Sequence, residues 1–195
     1  YGLEKEALVR AENIKTTMKE TKFDFVSPNG TISMRLNLIG RFNVYNALAA
    51  SAVGFSLGLQ EETIRRGLEQ LEGVPGRFEL VPTTGDYTVV IDYAHTPDSL
   101  KNLLMTARAL VKNRLITVFG CGGNRDQGKR PLMGGIAAEL SDYTIITNDN
   151  PRWEDPEAIA EQIKAGFLER KPDGDITVLL DRGEAIRKAV LMAQS

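Results

Sequence analysis

The chain has 195 residues, a formal charge of −2, 42% hydrophobic and 26% charged residues, which fits one large or two small soluble domains. So even a balance excludes general nucleic-acid binding through a broad basic face. A single cysteine excludes an internal disulfide and a cysteine metal cluster. With no signal peptide and no apolar run near the roughly 18 residues of a membrane helix, a reducing cytoplasm is expected.

In chain order, Phe23-Asp24-Phe25-Val26 and Thr31 to Leu36 flank Pro28-Asn29-Gly30, and Asn-Gly between alternating runs predicts a β-hairpin. A helix over 43–57 follows, rich in alanine with apolar residues on all sides, so it is expected to be buried. A second helix over 60–71 carries Ile64, Leu68 and Leu71 at helical spacing. Gly73-Val74-Pro75-Gly76 breaks the pattern as a hinge and divides the chain into domains 1–76 and 77–195. Beyond it, apolar runs at 88–91, 115–119, 143–147 and 176–180 alternate with helices over 98–111, 131–140, 156–168 and after Arg182. This predicts an α/β fold with a mostly parallel sheet, whose ligands sit at the carboxyl ends of the strands. The chain opens at Tyr1 without a methionine and closes in Met192-Ala193-Gln194-Ser195 with the helical pattern unbroken, so a piece of a longer protein is expected.

Three loops at strand ends carry polar residues suited to chemistry. Gly120-Cys121-Gly122-Gly123-Asn124-Arg125-Asp126-Gln127-Gly128-Lys129-Arg130-Pro131 combines glycines that let backbone amides approach an anion with three cations and a helix start. It has neither the Walker ending nor the dinucleotide fingerprint, and a solvated basic turn is the alternative. Asp149-Asn150-Pro151-Arg152 sets a carboxylate, an amide and a guanidinium side by side, as a zwitterionic amino acid requires. Its alternative is a plain helix start with Arg152 paired to Glu154. In Asp92-Tyr93-Ala94-His95-Thr96-Pro97, Asp92 suits ribose hydroxyls, and His95, the chain's one histidine, reads as pocket wall rather than base. Earlier, Asn43 is either an N-cap or, with Asn46, a partner for an adenine edge, and Arg77 stands just past the hinge.

Together these segments resemble the Mur ligases. Gly40-Arg41-Phe42-Asn43-Val44-Tyr45-Asn46-Ala47 is similar to the Asn-x-x-Asn helix of that family's central ATP-binding domain, and Gly73 to Glu79 to its crossover into the C-terminal domain. The resemblance implies the end of the central ATPase domain, a β-hairpin plus helices, followed by a Rossmann-like C-terminal domain. It implies that Asn43, Asn46, Arg77, Asp92 and His95 contact ATP. Arg125, Asp149, Asn150, Pro151 and Arg152 match the residues that recognise meso-diaminopimelate. The implied reaction is ligation of that amino acid to UDP-N-acetylmuramoyl-L-alanyl-D-glutamate (UDP-MurNAc-dipeptide) through an acyl phosphate, with ATP and Mg2+, by a monomer. The family's UDP-binding domain, Gly-Lys-Thr phosphate loop, metal ligands and Gly-Lys-Gly-His-Glu segment are not among these residues, so the 195-residue chain alone is expected to be inactive. Rival readings are a lysine-adding, cyanophycin- or folylpolyglutamate-synthetase-like ligase, a non-catalytic Mur-like binding domain, and a dinucleotide oxidoreductase lacking its fingerprint.

Overall fold

The structure, a computed structural model, describes residues 1–193. Its contacts divide the chain into two units, Tyr1–Leu80 with Val90–Asp92, and Val81–Val89 with Tyr93–Ser195.

In the first unit, strands β1 (Arg10–Thr16), β2 (Thr21–Ser27) and β3 (Gly30–Leu36) form an antiparallel sheet in that order. The hairpin forms where expected, but Ser27 pairs with Gly30, so Pro28 and Asn29 make the two-residue loop. Proline fixes φ at about −65°, which excludes the turn that a central Asn-Gly would favour. Gly30 instead opens β3 at φ 140°. Strand β1 has no counterpart in the sequence reading. It is mostly polar, and a register shift between Glu12 and Lys15, with Asn13 at φ 51°, breaks its period. Phe23, Phe25, Met34 and Leu36 point inward from β2 and β3 onto helix α1 (Arg41–Ser56), where Val44 and Leu48 meet them. Each such side chain stabilises the unit by about 1.5–3 kcal/mol.

Helix α1 begins before Asn43 and is capped by Gly40, so Asn43 lies inside the first turn and is not the N-cap. Nor is the helix buried all round: Tyr45 is 42% and Val53 60% exposed. Alanine hides the distinction, because it suits a buried and an exposed helix face alike. Helix α2 (Glu61–Glu69) sets Ile64 against Gly54 of α1.

A two-stranded ribbon follows, β4 (Glu79–Val81) with β5 (Val89–Ile91). The sequence pattern places 88–91 in the parallel sheet; the structure pairs it with β4 instead. Val89 and Val90 are half-buried and Ile91 is 49% exposed, whereas a strand inside a covered parallel sheet buries both faces.

The second unit is α/β. After α3 (Pro97–Leu110), strands β6 (Ile116–Phe119), β7 (Tyr143–Ile146) and β8 (Ile176–Val178) form a parallel sheet in chain order. Three successive residues of β7, Thr144 to Ile146, are buried, as in a strand covered on both faces. Helices α4 (Lys129–Leu140), α5 (Pro156–Arg170) and α6 (Arg182–Ala193) connect or follow them. Gln194 and Ser195, which the sequence pattern carries on into the last helix, lie outside the described residues. Thr96 caps α3 in a reciprocal bond with Ser99, and the Asp155 carboxylate caps α5 by accepting from the Glu157 N–H.

Helices α4 and α5 touch backbone to backbone. A methyl group at Gly134 would stand 2.0 Å from the Ile163 carbonyl oxygen, and one at Gly166 would stand 2.0 Å from that of Pro131. Around this contact Met133, Ile159, Ile163 and Phe167 fill the core with Leu100, Leu104 and Phe119.

Candidate functional site

At the carboxyl ends of β6 and β7, the loops 120–128 and 147–155 are bonded into one surface. The Gly123 N–H donates to the Asn150 carbonyl at 2.8 Å, and the Trp153 N–H donates to Asn124 Oδ1 at 3.0 Å. Arg152 Nη1 donates to the Gly123 carbonyl at 2.7 Å, while its own N–H donates to Asn150 Oδ1 at 3.2 Å in an Asx turn. A methyl at Gly123 would lie 1.9 Å from the Pro151 oxygen, and one at Gly120 would lie 2.1 Å from the Thr147 oxygen. The glycines read in the sequence as room for a ligand are therefore, at these two positions, room for the neighbouring chain.

Asn124 at φ 49° and Arg152 at φ 52° hold left-handed backbone without being glycine. Such conformations cost on the order of 1–3 kcal/mol and persist where the surroundings dictate them, often at binding sites. Here the dictating contacts are the cross-loop bonds just described.

The cations of the first loop do not act alike. Arg125 is exposed and, among the described residues, makes no hydrogen bond or ion pair. Lys129 Nζ donates to the His95 carbonyl at 2.7 Å. Arg130, counted in the sequence as part of an anion site, is fully buried. It grips Glu154 through two bonds, Nη1 to Oε2 at 2.9 Å and Nη2 to Oε1 at 3.0 Å, and Nη1 also reaches Gln162 Oε1 at 2.8 Å. The Glu154 carboxyl is held below its ordinary value chiefly by Arg130, with help from the Asn124 N–H. Glu154 thus belongs to Arg130, and the alternative in which it neutralises Arg152 does not occur.

Asp149 is exposed, with Arg182 Nη1 at 3.9 Å from its Oδ1, and Arg182 also donates to the Asn148 carbonyl at 3.1 Å. Pro151 is half-buried under the Gly123 approach. Cys121 is buried with its sulfur 3.7 Å from that of Met133, and burial pushes its thiol up to about 11. At neutral pH it is a small hydrophobe, not a nucleophile.

The other sequence-derived residues belong to other segments of the chain. His95 is exposed, its Nδ1 3.1 Å from the Tyr93 carbonyl and its ring edge-on to Tyr93 at 5.0 Å. In the first unit, Asp92 Oδ2 accepts the Phe78 N–H at 2.8 Å. Asn43 donates to the Ile39 carbonyl at 2.9 Å, and Asn46 donates to Asn43 Oδ1 at 3.2 Å. Asn46 is exposed, so burial does not oblige it to find an adenine. Arg77 follows the tight Gly76 turn at φ 69°.

Sequence reasoning missed the pairing of Arg130 with Glu154 and the reach of Arg182. The first had a signal: Arg130, Met133 and Ala137 recur at helical spacing, and all three are buried. Arg182 had none, since it approaches Asn148 only once β8 lies beside β7.

The Mur ligase middle domain family matches residues 1–54, and the family described as Mur ligase, glutamate ligase domain, matches residues 76–195. The chain is 45% identical over 194 residues to the UDP-N-acetylmuramoyl-L-alanyl-D-glutamate–2,6-diaminopimelate ligase of Alkaliphilus metalliredigens, covering 100% of this chain and 39% of that protein. A solved structure of a ligase of that name is 35% identical with a TM-score of 0.64, over 98% of this chain and 39% of the other. The Mycobacterium tuberculosis folylpolyglutamate synthase, 23% identical with a TM-score of 0.78 over 96% of this chain and 41% of its own, shares the fold. The chain thus spans about two fifths of the length of such relatives, at 39% for the Alkaliphilus protein.

Proposed function

Because the chain belongs to the Mur ligase family, we propose that it carries the amino-acid-binding part of an ATP-dependent ligase acting in the cytoplasm as a monomer. In this reading, the complete protein joins meso-diaminopimelate to UDP-N-acetylmuramoyl-L-alanyl-D-glutamate during peptidoglycan synthesis. The observation that supports it is the bonded pair of loops presenting Arg125 and Arg152, neither in an ion pair among the described residues. Exposed guanidinium groups on a shared surface suit a carboxylate, and the Asp149 carboxylate beside them suits an ammonium group.

In the proposed reaction ATP transfers its γ-phosphoryl group to the D-glutamate carboxylate, releasing ADP. The amine of diaminopimelate attacks the acyl phosphate carbonyl, and collapse of the tetrahedral intermediate expels phosphate and leaves the amide. Arg125 and Arg152 hold a carboxylate of the incoming amino acid so that one amine faces the carbonyl, a contribution of positioning rather than covalent chemistry. ATP contacts are assigned by resemblance to Asn43, Asn46, Arg77, Asp92 and His95. Among the described residues no three His, Cys, Asp or Glu side chains gather to hold a metal; magnesium bound with ATP would stabilise the charge on the transferred phosphoryl group.

Phosphate release by the full-length protein, with UDP-MurNAc-dipeptide, ATP and either meso-diaminopimelate or L-lysine, tests the reading. The expectation is ligation of meso-diaminopimelate, with kcat/KM roughly 10- to 100-fold lower for Arg152→Ala, as for a lost hydrogen bond to a charged group worth about 1.5–3 kcal/mol. Equal use of L-lysine, or an Arg152→Ala variant with unchanged kcat/KM, would overturn it.

A further inference from the structure

We infer that the pair of buried Arg130 with half-buried Glu154 is a positioning device that fixes Arg125 for the carboxylate of the incoming amino acid. This rests on the function proposed above. Arg125 lies between Asn124 and Gln127, and Glu154 holds both: its Oε1 accepts the Asn124 N–H and its Oε2 accepts Gln127 Nε2 at 3.2 Å. Arg130 reaches back to the same loop through the Gly122 carbonyl at 3.3 Å and onward to α5 through Gln162. The segment that carries Arg125 is thus tied on both sides to a carboxylate from the Arg152 loop.

Stability alone is a poor account of this pair. Arg130 is wholly buried, and its Nε is without a partner among the described residues. Well-packed apolar side chains in place of such a pair are often at least as stable. What apolar side chains would not supply is the set of directed bonds to residues 122, 124 and 127, and those bonds set the location of Arg125. Arg152 is held separately, by Gly123 and Asn150. The device therefore acts on one of the two guanidinium groups.

The test uses the full-length protein and two variants. Glu154→Gln leaves a buried guanidinium uncompensated and is prone to misfold; Arg130→Met/Glu154→Leu removes both charges together. The paired variant is expected to melt near the unaltered protein, to keep its kcat and its KM for ATP, and to raise its KM for meso-diaminopimelate roughly 10- to 100-fold, the range expected for misplacement by about an ångström. In an Arg125→Ala background the same exchange should change that KM by less than about twofold, because groups that act through one another are not additive. A folded paired variant with an unchanged KM, or an equal penalty in both backgrounds, would overturn the inference while leaving the proposed function standing. If the paired variant does not fold, the pair is structural and the inference fails. Failure of the unaltered protein to ligate meso-diaminopimelate would sink both.

Discussion

Replacing Gly123 with alanine should separate the two loops of the candidate site. Its φ is not in the left-handed region, so alanine meets no backbone penalty there and the effect is purely steric. The new methyl would start 1.9 Å from the Pro151 carbonyl oxygen, where real contacts stay beyond 3.0 Å, so the chains must part by about 1.1 Å. The obstacle is backbone stiffened by a proline ring and has no rotamer to escape into. The 2.8 Å bond from the Gly123 N–H to Asn150 would stretch to about 3.9 Å, beyond hydrogen-bonding range. The Arg152 bond to the Gly123 carbonyl would go with it. A neutral bond of about 1 kcal/mol and a charge-assisted one of about 1.5–3 kcal/mol give a loss of roughly 2–4 kcal/mol. Urea unfolding measures that loss, and amide exchange at Gly123 and Trp153 reports its location. A change under about 0.5 kcal/mol with Gly123 still protected would refute the steric reasoning.

In contrast, Gly67→Ala in α2, where an added methyl meets nothing within 4 Å, should stabilise the protein by about 1 kcal/mol in the same urea assay. Gly134→Ala should destabilise it by roughly 1–3 kcal/mol, since its methyl would press on the Ile163 carbonyl; a melting temperature unchanged from the parent would contradict the close helix contact. For Glu154 the sign of the pH effect is fixed by its lowered pKa. Its contribution is complete above the ordinary value of 4.5 and disappears as pH falls through the lower folded value. The Asn124 amide shift, followed in an acid titration, should move only below pH 4.5, and a midpoint above that would contradict the pairing.

Much of this was legible in residues. The apolar runs 115–119 and 143–147 marked, to within a residue, where the parallel strands stop, and so where loops would collect at one edge. The Asx-Pro turn of Asn150-Pro151 was readable because its bonds are local. What escaped depended on partners distant in sequence. Ile91 reads as a buried strand until β4 takes it out of the sheet. Arg130 reads as a free cation until Glu154, on another loop, folds against it. Strand β1 hid because a single residue, Asn13, turns its alternation out of phase. Charge and composition report which groups are present, whereas their availability to a ligand is decided by long-range contacts.

The glycine crossing of α4 and α5 has a consequence for how such a site changes its taste. Each helix begins at one of the two loops, and the helices meet with no side chain between them. The distance from one loop to the other is therefore set by bare main chain, which has nothing left to trim and little room to swell. A descendant chain that comes to accept a shorter or longer substrate has to do so by exchanging side chains at the rim, on a frame whose span stays constant.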